Sequence, residues 1–239
     1  LDTKLVPDVI ASTLSLVVLT GNPGDGKTSF LEMLEMELIE KNAEVQSKDS
    51  SGWTIKYGTQ TFIAVLDASE ATSDKSSDDS VNEALQLALK PGFTALIAVN
   101  DGRLKEFFEI NAFEYPDFAL AVENFFEGKE SNLSSVAIVD LKTRNIVSPV
   151  IGGLADRIVS QLVDEELWNE CHSCISQGVC PIYQNRNTLR GSAKNKVLEL
   201  IEISHLKRRK RSTLRQIRST LAWLITADLS CDDVHASSI

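Results

Sequence analysis

Residues 21–29 read GNPGDGKTS, with Gly21, Gly26, Lys27 and Thr28 filling every fixed place of the pattern G-x-x-x-x-G-K-[ST]. The run before it, SLVVLT over 15–20, is apolar and β-branched, as a buried parallel strand is. The run after it puts Phe30, Leu31, Leu34 and Leu38 on one helical stripe. A chain that leaves a buried strand through a glycine-rich bend and enters a helix at once is constrained to an α/β domain. The spacing therefore predicts a parallel sheet covered by helices on both faces.

The residue types in the bend point to a phosphate. Gly21, Gly24 and Gly26 let the backbone turn so that loop N–H groups face inward at the positive end of the following helix. Asn22, Pro23 and Asp25 complete the bend, and Ser29 follows it. Lys27 is expected to bridge the β- and γ-phosphates of a bound nucleotide, and Thr28 to offer its hydroxyl to Mg²⁺. The expected ligands are ATP or ADP with Mg²⁺.

At 239 residues and 43% hydrophobic content, the chain has room for one α/β domain and a smaller appendage. A nucleotide-binding core over 1–150 and a helical lid over 151–239, with a cysteine-rich insertion, are expected. No apolar run approaches the length of a bilayer span and no signal-peptide pattern opens the chain, so the expected location is the cytoplasm, with no membrane partner. The chain starts at Leu1 rather than at a Met and ends at Ile239 without a terminal signature, which suggests a piece of a longer protein, and flanking domains or self-association are the expected partners.

Apolar runs at 53–57, 61–66, 94–99 and 136–141 read as strands. Segments 81–89, 104–110 and 117–126 read as helices, and 48–52 as a loop. Segment 69–79, SEATSDKSSDD, lacks apolar residues other than Ala71 and reads as an exposed loop. Beyond Gly152 and Gly153 the strand signal fades into helices. There, Leu214, Ile217, Leu221 and Leu224 repeat at helical spacing behind a Ser212-Thr213 N-cap.

On these motifs the chain resembles the AAA+ superfamily and its signalling relatives, the STAND ATPases. The resemblance implies a P-loop NTPase fold with a Walker B strand ending in Asp, a sensor strand ending in a polar residue and a helical lid carrying a second sensor. FIAVLD, ending at Asp67, matches the Walker B strand and would hold Mg²⁺ through water. ALIAVN, ending at Asn100, matches the sensor strand, its amide placing the attacking water. Arg215, in the first turn of the last amphipathic stretch, matches the second sensor, and Arg103 and Arg144 are weaker candidates for a neighbour-facing arginine finger.

The chain departs from the family in one place. Ala68 stands where Glu usually follows the Walker B Asp, and Glu70 is the nearest carboxylate to act as the base. A second frame makes ALIAVND the Walker B strand, with Asp101 on the metal and VAIVDL as the sensor strand. Two functions stay open: a nucleotide-dependent switch or slow ATPase within a larger protein, and a hydrolysing ring motor or remodeller. The missing Glu tilts the choice toward the switch.

Two further features stand outside the phosphate chemistry. Cys171, Cys174 and Cys180 have a spacing that can bite one metal ion, and the fourth ligand of a structural Zn²⁺ site is open between Cys231, His235 and His172. Buried, metal-free cysteines are the competing reading. Lys207, Arg208, Arg209, Lys210 and Arg211 form a basic run in a chain of net charge −10. Without interleaved aromatics it offers no stacking platform for bases, so a solvated loop is expected first and contact with a nucleic-acid backbone second.

Overall fold

A computed structural model describes residues 5–66, 77–130, 133–208 and 211–237. The chain divides into two compact units, Leu1–Arg144 and Asn145–Ile239.

The first unit is α/β. Its strands are β1 (Leu16–Thr20), β2 (Glu44–Lys48), β3 (Gly52–Tyr57), β4 (Gln60–Val65), β5 (Phe93–Ala98) and β6 (Val136–Asp140), and they form one six-stranded sheet in the order β2-β3-β4-β5-β1-β6. β4, β5, β1 and β6 pair in parallel. β3 is antiparallel to both β4 and β2, so the sheet is mostly parallel and not wholly so. Only Gly58 and Thr59 separate β3 from β4, and a two-residue connection closes a hairpin but cannot make the crossover that parallel pairing needs.

Helices α1 (Leu5–Ala11), α2 (Lys27–Glu40), α3 (Ser77–Ala88), α4 (Asp101–Ile110) and α5 (Pro116–Phe126) cover the sheet. Successive strand residues point to opposite faces. Leu16 and Val18 of β1 therefore pack with Leu85, Phe107 and Phe118 of α3, α4 and α5, while Val17 and Leu19 pack with Val9 of α1 and Leu31 and Leu34 of α2. The central strands read as unbroken apolar runs because both faces are buried. The stripe Phe30, Leu31, Leu34 and Leu38 is buried throughout.

β2 differs from its neighbours. All five of its residues are exposed, and its register against β3 shifts between Val45 and Ser47. At its end Lys48 Nζ lies 2.5 Å from Oε1 of the buried Glu35 on α2.

The second unit is helical: α6 (Leu154–Leu162), a 3₁₀ segment (Glu165–Ser173), α7 (Pro181–Arg190), α8 (Lys194–Arg208), α9 (Leu214–Thr226) and α10 (Cys231–Ser237). Its apolar core gathers Val159, Leu189, Leu198, Ile217, Leu221 and Ile225. Leu224, expected in the buried stripe of α9, is 40% exposed, and Ile225 takes its place. Positions 217, 221 and 225 repeat at i, i+4, i+8 and keep to one side of the helix, from which 224 diverges. A buried cation sits near the 3₁₀ segment. Arg186 donates through Nε and Nη2 to the Val163 carbonyl at 3.1 and 2.7 Å, through Nη2 to Glu165 Oε2 at 2.8 Å and through Nη1 to Asn187 Oδ1 at 2.9 Å. Its guanidinium also lies 5.5 Å from the ring centroid of Trp168 and 5.9 Å from that of Tyr183.

Among the described residues no helix is long and apolar enough to cross a membrane.

Candidate functional site

The bend at 21–28 joins the end of β1 to the start of α2. Gly21, Gly24 and Gly26 have φ of 143°, 89° and 92°. These values lie in the region that glycine enters without the steric cost of a Cβ. Gly26 is the N-cap of α2 with ψ 24°, a left-handed conformation that swings the chain into the helix. A Cβ on Gly21 would also stand 3.1 Å from Asp25 Oδ2, so a side chain there would press on the residue that closes the bend.

Asp25 braces the loop from within. It is 1% exposed; its Oδ2 accepts the Asn22 N–H at 2.9 Å and its own N–H donates to the Asn22 carbonyl at 3.1 Å. Arg144, at the end of the first unit, donates through Nη2 to the Asp25 carbonyl at 2.6 Å. Above the bend, Lys27 Nζ donates to the Gly21 and Asn22 carbonyls, both at 3.1 Å. The lysine charge is thus held over the concave side of the loop, at the positive end of α2. The Thr28 hydroxyl donates to the Leu66 carbonyl at 3.2 Å, across from the end of β4.

Behind the loop lies a network at the ends of β1, β5 and β6. The Thr20 hydroxyl donates to Asp101 Oδ1 at 2.5 Å, and Lys142 is paired with the other oxygen of Asp101. Lys142 also donates its N–H to Asp140 Oδ1 at 2.8 Å, and its ammonium stands 3.7 Å from Asp140 Oδ2. Burial alone would raise the Asp101 carboxyl, but the hydrogen bonds from Lys142 and Thr20, with the charges of Lys142 and Lys27, outweigh it and hold the group below its ordinary range. The same bond, donated to Asp101, raises Lys142. This arrangement holds the Asp101 carboxylate against Lys142, which also stands near Asp140, behind a loop that concentrates backbone N–H groups and a lysine.

Not every residue singled out in the sequence joins this group. Asp67 and Glu70 lie outside the described residues, as does most of the 69–79 segment; 77–79 of it open α3. Asn100 caps α4, its Oδ1 accepting the Arg103 N–H at 2.9 Å. Arg103 is paired with Asp78 on α3 and with Glu106 at 2.6 Å, within the sheet unit. Arg144 is tied through Nη2 to the Asp25 carbonyl in the loop. Arg215 is exposed in the first turn of α9, behind a capping box in which Thr213 Oγ1 accepts the Gln216 N–H at 3.2 Å and Gln216 Oε1 accepts the Thr213 N–H at 2.9 Å. Lys207 is exposed near the end of α8 and Arg211 is half-buried, while Arg209 and Lys210 lie outside the described residues.

Thr20, Lys142 and the bracing role of Asp25 are absent from the sequence reading. A polar residue ending an apolar strand, as Thr20 does, and a lysine just past the Asp that ends another, as Lys142 does, are the signals that were available.

Among the described residues no group of three or more His, Cys, Asp or Glu side chains forms a ready-made metal site. Comparison with protein-family models, with curated proteins and with solved structures finds no match.

Proposed function

We propose that the chain binds ATP with Mg²⁺ at the 21–28 loop and works as a nucleotide-dependent switch or slow ATPase of the AAA+ kind. The observation that carries this reading is the loop itself. Three glycines with positive φ, a helix beginning at Lys27, and the lysine ammonium held over the Gly21 and Asn22 carbonyls form a cradle suited to a β-phosphate.

In this reading the loop N–H groups take the β-phosphate oxygens and Lys27 moves from the two carbonyls to the β- and γ-phosphates. The bound metal would neutralise the phosphate oxygens, and the Thr28 hydroxyl is the group placed to hold it. Arg144 and Asp25 keep the bend open by fixing its floor. The carboxylate assigned to the metal is Asp67 in preference to Asp101. Thr28 touches the Leu66 carbonyl, one residue before Asp67, whereas Asp101 is already engaged by Thr20 and Lys142. The order β4-β5-β1, in which the strand before Asn100 lies between the loop strand and the strand before Asp67, supports the same choice. Ala68 beside Asp67 leaves the usual base position without a carboxylate, which favours a switch over a fast motor.

Isothermal calorimetry with ATP and Mg²⁺ tests the reading. Lys27→Ala is expected to weaken ATP binding at least about 100-fold, or roughly 2.7 kcal/mol, while circular dichroism shows an intact fold. A folded Lys27→Ala protein with wild-type affinity overturns the assignment.

A further inference from the structure

The 3₁₀ segment of the helical unit ends in Cys171-His172-Ser173, with Cys174 as its C-cap. A 3₁₀ turn repeats every three residues and rises about 2 Å per residue, so residues i and i+3 lie one above the other with Cα atoms roughly 6 Å apart. Cys171 and Cys174 keep that relation, since the Cys174 N–H donates to the Cys171 carbonyl at 3.2 Å. A Cα separation of about 6 Å is among the commonest for residues joined by a disulfide. Both thiols are free, and both are half-buried. The two sulfurs differ in their neighbours. His235 on α10 brings Nε2 to 3.3 Å from Cys174 Sγ, across 61 residues of sequence. Val234 beside it is buried in the core of the helical unit, so packed structure carries the imidazole to the sulfur. His172, between the two cysteines, is instead turned to Glu165 Oε1 at 2.9 Å and meets Tyr183 edge-on. One thiol of a stacked pair thus has a base within hydrogen-bond reach, the arrangement that makes a cysteine nucleophilic.

We propose that Cys171 and Cys174 are a reversible redox pair, oxidised to a disulfide by hydrogen peroxide, in which Cys174 reacts first, His235 takes its proton and Cys171 resolves the product. In the first step His235 Nε2, in the tautomer that leaves it unprotonated, accepts the Cys174 proton. The thiolate sulfur attacks one peroxide oxygen and the O–O bond breaks. The departing hydroxide takes the proton from His235 and leaves as water, and Cys174 becomes a sulfenic acid. In the second step the Cys171 sulfur attacks the Cys174 sulfur, the S–O bond breaks, and the hydroxide leaves as water with the Cys171 proton. The two sulfurs are oxidised and the peroxide is reduced, so two thiols and one peroxide give one disulfide and two waters. A dithiol reductant restores both thiols by exchange. The oxidised sulfur has no proton to share with His235, so the redox state of the turn reaches α10 through that contact.

The test uses the whole 239-residue chain, reduced, freed of reductant and treated with a small excess of hydrogen peroxide. Thiol titration and mass spectrometry without reductant are expected to show the loss of two of the four free thiols and of two hydrogens per chain. The double variant Cys180→Ser/Cys231→Ser should lose both of its remaining thiols at the wild-type rate. Cys171→Ser should stop at the sulfenic acid, which dimedone traps on Cys174, whereas Cys174→Ser should give no adduct on Cys171. His235→Ala, at an exposed helical position, should keep the circular dichroism of the wild type and slow the first step on the order of 10-fold. Added imidazole should then restore part of the lost rate, which a merely structural role for His235 would not allow. Four free thiols after peroxide overturn the proposal, as does a double variant that keeps its thiols or links two chains. So do a dimedone adduct on Cys171 in Cys174→Ser, and a His235→Ala rate that is unchanged or does not respond to imidazole.

Discussion

Of the largest fully buried side chains, those of the sheet unit are Tyr115 and apolar residues such as Phe62, Leu34 and Leu96, whereas the helical unit contributes one, and it is Arg186. The sheet unit covers both faces of a six-stranded sheet mostly with hydrocarbon, and its buried carboxylates Asp25 and Glu35 are engaged by the Asn22 N–H and by Lys48. The helical unit is smaller, and a small unit buries a lower fraction of its surface. It compensates with a guanidinium whose donors are taken up by Val163, Glu165 and Asn187 and whose faces are covered by Trp168 and Tyr183. The comparison teaches that a buried charge is tolerable where each of its hydrogen-bonding directions is answered, and costly once one is not.

Breaking the cation should separate the two units most sharply. Arg186→Ala is expected to destabilise the helical unit by about 3–5 kcal/mol, because it removes a buried cation from hydrogen-bonded partners and opens space beneath Trp168. Arg186→Met, which refills the space with hydrocarbon, should recover part of that loss. Chemical denaturation followed by Trp168 fluorescence, with Trp53 and Trp223 replaced by Phe in every variant, reads the helical unit, and an equal loss for both variants would show that the charge and not the volume carries the stability. In the sheet unit, Leu34→Ala should cost a comparable amount, about 3 kcal/mol, through a cavity and with no electrostatic component.

A smaller effect is expected at the start of α9. Thr213→Ala removes the acceptor of the Gln216 N–H and should cost about 1 kcal/mol, seen as a lower midpoint for the helical unit only. The smallest is the pH dependence of the Asp101–Lys142 pair in the sheet unit. The folded-state pKa of Asp101 is depressed, so its contribution is present above the ordinary carboxylate range and is lost as pH falls through the folded value. That of Lys142 is raised, so its share is lost as pH rises through the folded value. Both groups are about a third exposed, and solvent screening limits the pair to roughly 1 kcal/mol or less. Asp101→Asn should flatten the acid limb of stability against pH, measured by urea denaturation across the acidic range; an unaltered limb would remove the pair from the account.

The central strands and the helix after the loop were legible in the sequence because burial on both faces writes itself as continuous apolar runs. The loop was legible because glycine, lysine and threonine at fixed offsets have few alternative uses. β2 was not: EVQSK carries no apolar period, and it pairs only because the hairpin brings β3 beside it. The direction of β3 is a property of the two-residue turn after it, not of its own composition. Lys142, Arg144 and His235 act on residues far away in the chain, at Asp101, Asp25 and Cys174, and no local pattern encodes such meetings. Sequence spacing also leaves His172 and His235 equivalent as partners for the cysteines; only the fold sends the first to Glu165 and the second to Cys174.

The displaced register of β2 bears on solubility. An edge strand offers unpaired N–H and C=O groups that can template a second chain, and proteins defend such edges with irregularity and charge. Here the shift between Val45 and Ser47 interrupts the outward row of backbone groups, while Glu44 and Lys48 place charge at either end. A straightened β2 with Gln46 deleted and Glu44 replaced by Val, which leaves Lys48 on the buried Glu35, would present a flatter and less charged border. Such a chain should fold as before and then self-associate through that border, so the irregularity in β2 is a guard against aggregation.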